Sequence, residues 1–259
     1  MKICTWNVNS ISSRLEILLT WLEKYQPDIV LLQETKCINE KFPHSEIEEL
    51  GYNIAIHGQK TYNGVAILSL SPIDEFHTEL PANPHPEDAR YIEAIISIKG
   101  AIRVASVYVP NGHELGSEKY KRKLDFMDAL YNHMESLKEL DEICVIGGDF
   151  NVAPEEMDVY SPDTLKTTVL FDLAIRKKFR SLTNLDYVDA FRALNPTEEQ
   201  FTWWDYRGGS WQKNKGARID HLLLSPYASD LLTKSYVHSD LRNKHKPSDH
   251  IPVICELSI

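Results

Sequence analysis

The sequence repeatedly sets a short, wholly apolar run against a carboxylate or carboxamide at its end. Ile29-Val30-Leu31-Leu32 runs into Gln33-Glu34, Ile143-Cys144-Val145-Ile146 into Gly147-Gly148-Asp149, and the strand-like stretch 2–8 carries Asn7. Apolar runs of this length without polar alternation suit strands buried on both faces. A carboxylate closing such a strand costs free energy unless it is paired or holds a metal ion. The arrangement recurs with Asp220 inside Arg-Ile-Asp-His-Leu-Leu-Leu and with Asp249 ahead of His250-Ile-Pro-Val-Ile.

Further strand patterns lie at 52–56, 65–70, 92–98, 102–109, 201–204, 218–224 and 251–257. The run 143–146 is expected to break at Gly147-Gly148-Asp149. Helical spacing places one helix over 15–25, capped by Ser10 and ended by Pro27, and a longer one over 118–140. Leu124, Met127, Leu130 and Met134 share a face of the second, and a third helix is expected around 169–179. No linker or repeat divides the 259 residues, and 42% are hydrophobic. The expectation is one α/β domain over 1–259, two packed sheets flanked by helices.

The formal net charge of −10 excludes broad coating of nucleic acid or anionic membrane, so an anionic partner needs a local basic patch or a metal. Cys4, Cys37, Cys144 and Cys255 are far apart, without the spacing of a zinc site or disulfide framework. No stretch approaches the ~18 consecutive apolar residues of a membrane span. A cytoplasmic, reduced protein is expected.

Asn7, Glu34, Asp149, Asn151, Asp249 and His250 are hard or borderline donors with few sulfurs among them, which suits Mg²⁺ or Mn²⁺ rather than zinc. Asp149 and Asn151, two apart in an extended segment, can address one ligand. Asp220 can orient His250, leaving its ring to bind a phosphate oxygen or take a proton. The Pro-Asn-Gly turn after Tyr108 can lift Tyr108 and Asn111 towards the same place. Any one of these reads as a cap or turn residue; together they indicate metal-assisted hydrolysis of a phosphate ester.

The blocks Thr-Trp-Asn-Val-Asn (5–9), Leu-Gln-Glu-Thr-Lys (32–36), Val-Tyr-Val-Pro-Asn-Gly (107–112) and Gly-Gly-Asp-Phe-Asn-Val-Ala-Pro (147–154) resemble the exonuclease III family of DNA repair nucleases. So do Phe-Thr-Trp-Trp-Asp-Tyr-Arg (201–207), Arg-Ile-Asp-His (218–221) and Pro-Ser-Asp-His-Ile-Pro-Val (247–253), all in the family's order. The resemblance implies a four-layered, DNase I-like α/β sandwich. It implies Glu34 as the main Mg²⁺ ligand (Mn²⁺ able to substitute), with Asn7 beside it and Asp249 nearby. Asp149 would activate the attacking water or protonate the leaving oxygen, and Asn151 would hold the phosphate. Asp220 would orient His250, and Tyr108 would donate to the phosphate or leaving group. The identity of the general base stays open.

The partner this implies is double-stranded DNA with abasic sites or 3′ ends, bound by a monomer through Asn111, Trp203, Ile219, Lys244 and Lys246. Trp203 would face the abasic pocket and Trp204 the core. Basic clusters at 207–218 and 242–246 flank site residues and suit phosphate contacts, whereas Arg176, Lys177, Lys178 and Arg180 read as a solvated helix face. Ala217 and the bulky Val169-Leu170 depart from the family's pattern. That leaves open the balance among abasic-site incision, 3′-phosphate removal and 3′→5′ exonuclease action. A superfamily phosphoesterase acting on RNA or an inositol phosphate is the alternative.

Overall fold

The computed structural model describes residues 1–98 and 100–259. In chain order the first strands are β1 (Lys2–Asn7), β2 (Ile29–Gln33), β3 (Asn53–His57), β4 (Val65–Ser69), β5 (Ile73–His77) and β6 (Tyr91–Ser97). The second half adds β7 (Ala101–Tyr108), β8 (Ile143–Asp149), β9 (Val188–Asp189), β10 (Asp220–Leu224), β11 (Leu232–Val237) and β12 (Val253–Leu257). Among the described residues three helices exceed ten residues, α1 (Ile11–Tyr25), α2 (Glu118–Lys138) and α3 (Leu173–Thr183).

The strands form two six-stranded mixed sheets, ordered β11-β12-β1-β2-β4-β3 and β5-β6-β7-β8-β10-β9. Residues of β1, β2, β4, β6, β7, β8, β10 and β12 share one apolar cluster between the sheets. A second cluster lies under α2 and α3, and a third under α1. These are the two packed, helix-flanked sheets expected from the strand pattern, in the four-layered sandwich that the family resemblance implied. No helix among the described residues is long and apolar enough to cross a membrane.

Helix α2 forms because Ser117 accepts from the backbone N–H of Tyr120, and because Met127, Leu130, Met134 and Leu137 bury one stripe. Leu124 sits at the stripe's edge, half-buried. Leu130 is fully buried, and cutting it to alanine would cost about 2–5 kcal/mol.

The sheets are registered near one rim by a buried polar bridge. Gln33 Nε2 donates to Thr5 Oγ1 at 3.0 Å and to Ser106 Oγ of the opposite sheet at 2.9 Å, and Ser106 Oγ donates to the Leu32 carbonyl at 2.8 Å. Because β1/β2 and β7/β8 are parallel pairs, their carboxyl ends share that rim, the usual location of a ligand site in such sheets.

Several local expectations are corrected. Strand β8 does not break at Gly147-Gly148 but runs through them to Asp149. The glycines permit this: a Cβ on Gly148 would sit 1.9 Å from the Val107 carbonyl oxygen, and one on Gly147 2.6 Å from Leu222 Cδ2. The strand expected over 201–204 is only a set of isolated bridges from Trp203 to Ala217 and His250. The helix expected at 169–179 starts at Leu173, where Asp172 caps it. Ser10 precedes α1, but its φ of 85° sends the hydroxyl to Ser13, 3.1 Å away, instead of a backbone N–H. Strands β5, β9 and β11 lack the apolar density that revealed the others; β5 is exposed over most of its length.

Candidate functional site

Each central strand delivers a polar side chain to the shared rim. Asn7 ends β1, Glu34 follows β2, Tyr108 ends β7, Asp149 ends β8, Asp220 opens β10, and His250 precedes β12. Antiparallel pairing sets Asp220 directly across from Asp149. Glu34 and Asn151 are non-glycine residues with φ near 50°, a conformation that persists only where its surroundings enforce it. At Glu34 the enforcing bonds are to its neighbours: its carbonyl accepts from Ser10 N at 2.7 Å, and Thr35 N donates to Gly64 O.

Glu34, Asp149 and His250 each offer a ligand atom, and these atoms all lie within 4.8 Å of one another. Asn7 spans the carboxylates, its Nδ2 donating to Glu34 Oε1 at 2.8 Å and to Asp149 Oδ2 at 2.9 Å. Its Oδ1 accepts from Asn9 N, so in this geometry Asn7 aligns the carboxylates through its N–H groups. Asp149 Oδ1 takes the backbone N–H of Asn151. Two carboxylates and one imidazole without a thiolate fit a hard divalent cation.

His250 is held from behind by Asp220, whose Oδ2 lies 2.9 Å from Nδ1 and itself accepts from Thr202 Oγ1 at 2.6 Å. His250 Nε2 then faces Asp149 Oδ2 at 3.7 Å. Burial alone would lower the imidazole pKa, but Asp220 and Asp149 more than offset it and the group is raised, favouring the cation. Burial raises Asp149 against the downward pull of His250, and Asp220 and Glu34 push it further up. Burial, then Glu34, pushes Tyr108 well above the usual tyrosine range, so its hydroxyl stays a donor.

Asn151 is tied on both sides, its Nδ2 donating to Val109 O and its Oδ1 accepting from Asn111. Asp249 stands outside the three-residue cluster; its oxygens take Trp203 Nε1 at 3.0 Å and Asn9 Nδ2 at 2.9 Å. Trp203 is half-buried beside Leu170, Phe171, Ala217 and the buried Ile219, while Trp204 is core. Lys244 and Lys246 are on the exposed loop leading to Ser248, whose hydroxyl donates to Asn7 O.

Arg218, grouped by sequence with a phosphate-binding cluster, is instead 2% exposed and paired with Asp158 and Asp189, so it cannot reach a backbone. Of the Arg176–Arg180 group, Lys177 is exposed as expected, Lys178 pairs with Asp128 and Arg180 with Glu155. Arg176 is instead folded inward, donating to the Pro154 carbonyl at 2.8 Å over the Phe171 ring. Sequence reasoning missed Lys36, 2.7 Å from Glu34 Oε2, and Asn9, though both fall within quoted blocks. It also missed Lys123, whose Nζ donates to the carbonyls of Asn111, Asn151 and Val169 at 3.1, 2.6 and 2.6 Å. Its signal was available: 123, 127, 130 and 134 are one helical stripe with lysine at its head.

A carboxylate and imidazole cluster at the rim of a two-sheet sandwich defines a metal-dependent phosphoesterase. The family described as Endonuclease/Exonuclease/phosphatase matches residues 4–250. The chain is 32% identical over 265 aligned positions to exodeoxyribonuclease III of Haemophilus influenzae, with 99% of each chain covered. Its fold superposes with a TM-score of 0.95, at 38% identity and full coverage of both chains, on an AP endonuclease from Archaeoglobus fulgidus. The same figures hold for the 3′ phosphatase NExo from Neisseria bound to product DNA hairpin. The chain belongs to the endonuclease/exonuclease/phosphatase family and is a hydrolase of the nuclease type.

Proposed function

We propose that this chain is a Mg²⁺-dependent DNA repair phosphodiesterase, with Mn²⁺ able to substitute. It incises 5′ to abasic sites, removes 3′-phosphates and other 3′ blocking groups, and degrades duplex DNA from 3′ ends. It works as a monomer in the cytoplasm, as one catalytic unit over residues 1–259. The observation that carries this reading is the convergence of Glu34, Asp149 and His250 within 4.8 Å, backed by Asn7 and Asp220.

Glu34 and Asp149 would hold the ion, with Asn151 and Asp249 beside them, while the cationic His250 stays outside its ligand set. When bound, the ion supplies positive charge to the phosphate oxygens and to the charge that builds on them. His250, kept cationic by Asp220, binds a non-bridging oxygen of the scissile phosphate. Asn151 offers its remaining Nδ2 proton to the same group and steadies it through the transition state. Asp149 orients the attacking water and takes its proton as the new P–O bond forms. Tyr108 donates to the phosphate or the departing oxygen. Trp203 and Asn111 border the DNA, and Lys244 and Lys246 contact its backbone. Ile219, expected at this surface, is 2% exposed and only supports Trp203 from behind.

The test is cleavage of three end-labelled duplexes, carrying an internal abasic site, a 3′-phosphate and a recessed 3′ end, with Mg²⁺ and with EDTA. Metal-dependent cleavage is expected, and the relative rates give the lesion preference. No cleavage of any duplex, with turnover of a small phosphate ester, would overturn the DNA assignment.

A further inference from the structure

A cavity of about 290 Å³ opens beside Asn111, between the 83–90 loop, the 110–113 turn and the start of α2. Its walls carry His85, Arg90, His113, Lys119 and Arg122 against one acid, Asp88. Asp88 is already engaged, accepting from Arg90 Nε at 3.4 Å and from Asn63 Nδ2 at 3.1 Å. His85 lies 3.5 Å from Glu87, which is outside the cavity wall. Lys119 and Arg122 are exposed, stand three residues apart on one helix face, and make no ion pair among the described residues. They project from the first two turns of a 21-residue helix, where the dipole also favours an anion.

This wall is continuous with the catalytic rim. Arg90 donates to the Tyr108 carbonyl at 3.3 Å and lies over the Tyr108 ring, 4.6 Å from its centroid. Asn111 donates to Asn151. Arg90 is held by Asp88, so Lys119 and Arg122 leave the cavity a surplus of positive charge in a chain of net charge −10, which an anion would balance. Resting on the nuclease reading, we propose that the cavity is a phosphate subsite, holding a backbone phosphate of the cut strand that flanks the scissile one.

The experiment compares the parent with the Lys119→Ala/Arg122→Ala double variant on a duplex with a recessed 3′ end, across a salt series. It is repeated with a neutral methylphosphonate at each of three linkages on either side of the scissile phosphate. For the variant, KM is expected to rise about tenfold with kcat at saturating duplex within twofold, and the log–log salt slope to flatten by about one. At one linkage the neutral group should cost the parent about tenfold in KM and the variant nothing. Unchanged KM and slope, with both proteins cutting DNA, reject the subsite and leave the nuclease reading standing. A lowered kcat, or additive losses at every linkage, also rejects it. If the parent cuts no duplex, the nuclease reading falls and the subsite falls with it.

Discussion

Asp220 Oδ2 lies 2.9 Å from Nδ1 of His250, which fixes the ring with Nε2 turned towards Asp149. Replacing that oxygen with an amide removes both the alignment and the charge that keeps the imidazole protonated. Asp220→Asn is expected to lower kcat by about a hundredfold or more while DNA affinity holds. Steady-state kinetics beside a binding titration check it; unchanged kcat would remove Asp220 from the site.

Asp149 is the oxygen donor at the centre of the set, 2% exposed and bonded by Asn7 and by the Asn151 backbone. Asp149→Asn keeps the shape and loses the proton acceptor. Turnover should fall by about 10²–10⁴ with duplex binding retained, as measured on a labelled substrate under single-turnover conditions. Full activity would sink the assigned role.

Glu34 is the least buried of the three clustered residues and is shared with Asn7 and Lys36. Glu34→Ala should raise the Mg²⁺ concentration needed for half-maximal activity by about tenfold or more. A metal titration of activity decides this, and an unchanged requirement would argue that the ion sits elsewhere.

Lys123 joins three loops by donating to the carbonyls of Asn111, Asn151 and Val169 from a fully buried position. Burial pushes its ammonium down to about 7, against the pull of Asp149 and Asp172. Lys123→Met leaves those carbonyls without their donor and should destabilise the fold by about 2–4 kcal/mol. Chemical denaturation measures this; a change within about 0.5 kcal/mol would show that the loops hold themselves.

Glu93 is buried away from the site, where burial would raise its carboxyl, but His133, Tyr91 and Arg103 bond it and hold it at about 2 against an ordinary 4.5. A depressed carboxylate stabilises fully above its unfolded value and loses that contribution as pH falls through the folded one. The stability advantage of the parent over Glu93→Gln should therefore shrink by on the order of 3 kcal/mol between pH 5.5 and 2. Denaturation midpoints across that range test it, and a constant gap would contradict it.

Much of the central fold was legible because strands buried on both faces must be apolar throughout. Ile29–Gln33 and Ile143–Asp149 announce themselves for that reason. Leu232–Val237 and Ile73–His77 do not, being sheet edges whose side chains mix with solvent. Gly147-Gly148 misled for a related reason: glycine marks a turn or a close approach equally, and only the neighbouring strand at Val107 distinguishes them.

The sequence by itself determined that carboxylates and carboxamides stand at the ends of buried strands, because local period and burial fix which way each side chain points. Only the tertiary structure decided which of them meet. Asn7 and Asp149 are 142 positions apart, yet one amide joins them, since both parallel strand pairs end at the same rim. Folding likewise sent Arg218 inward to Asp158 and Asp189 and gathered Lys119, Arg122 and His113 beside Arg90. A charge's partners are set by through-space distance across packed layers, and spacing along the chain carries no record of that distance.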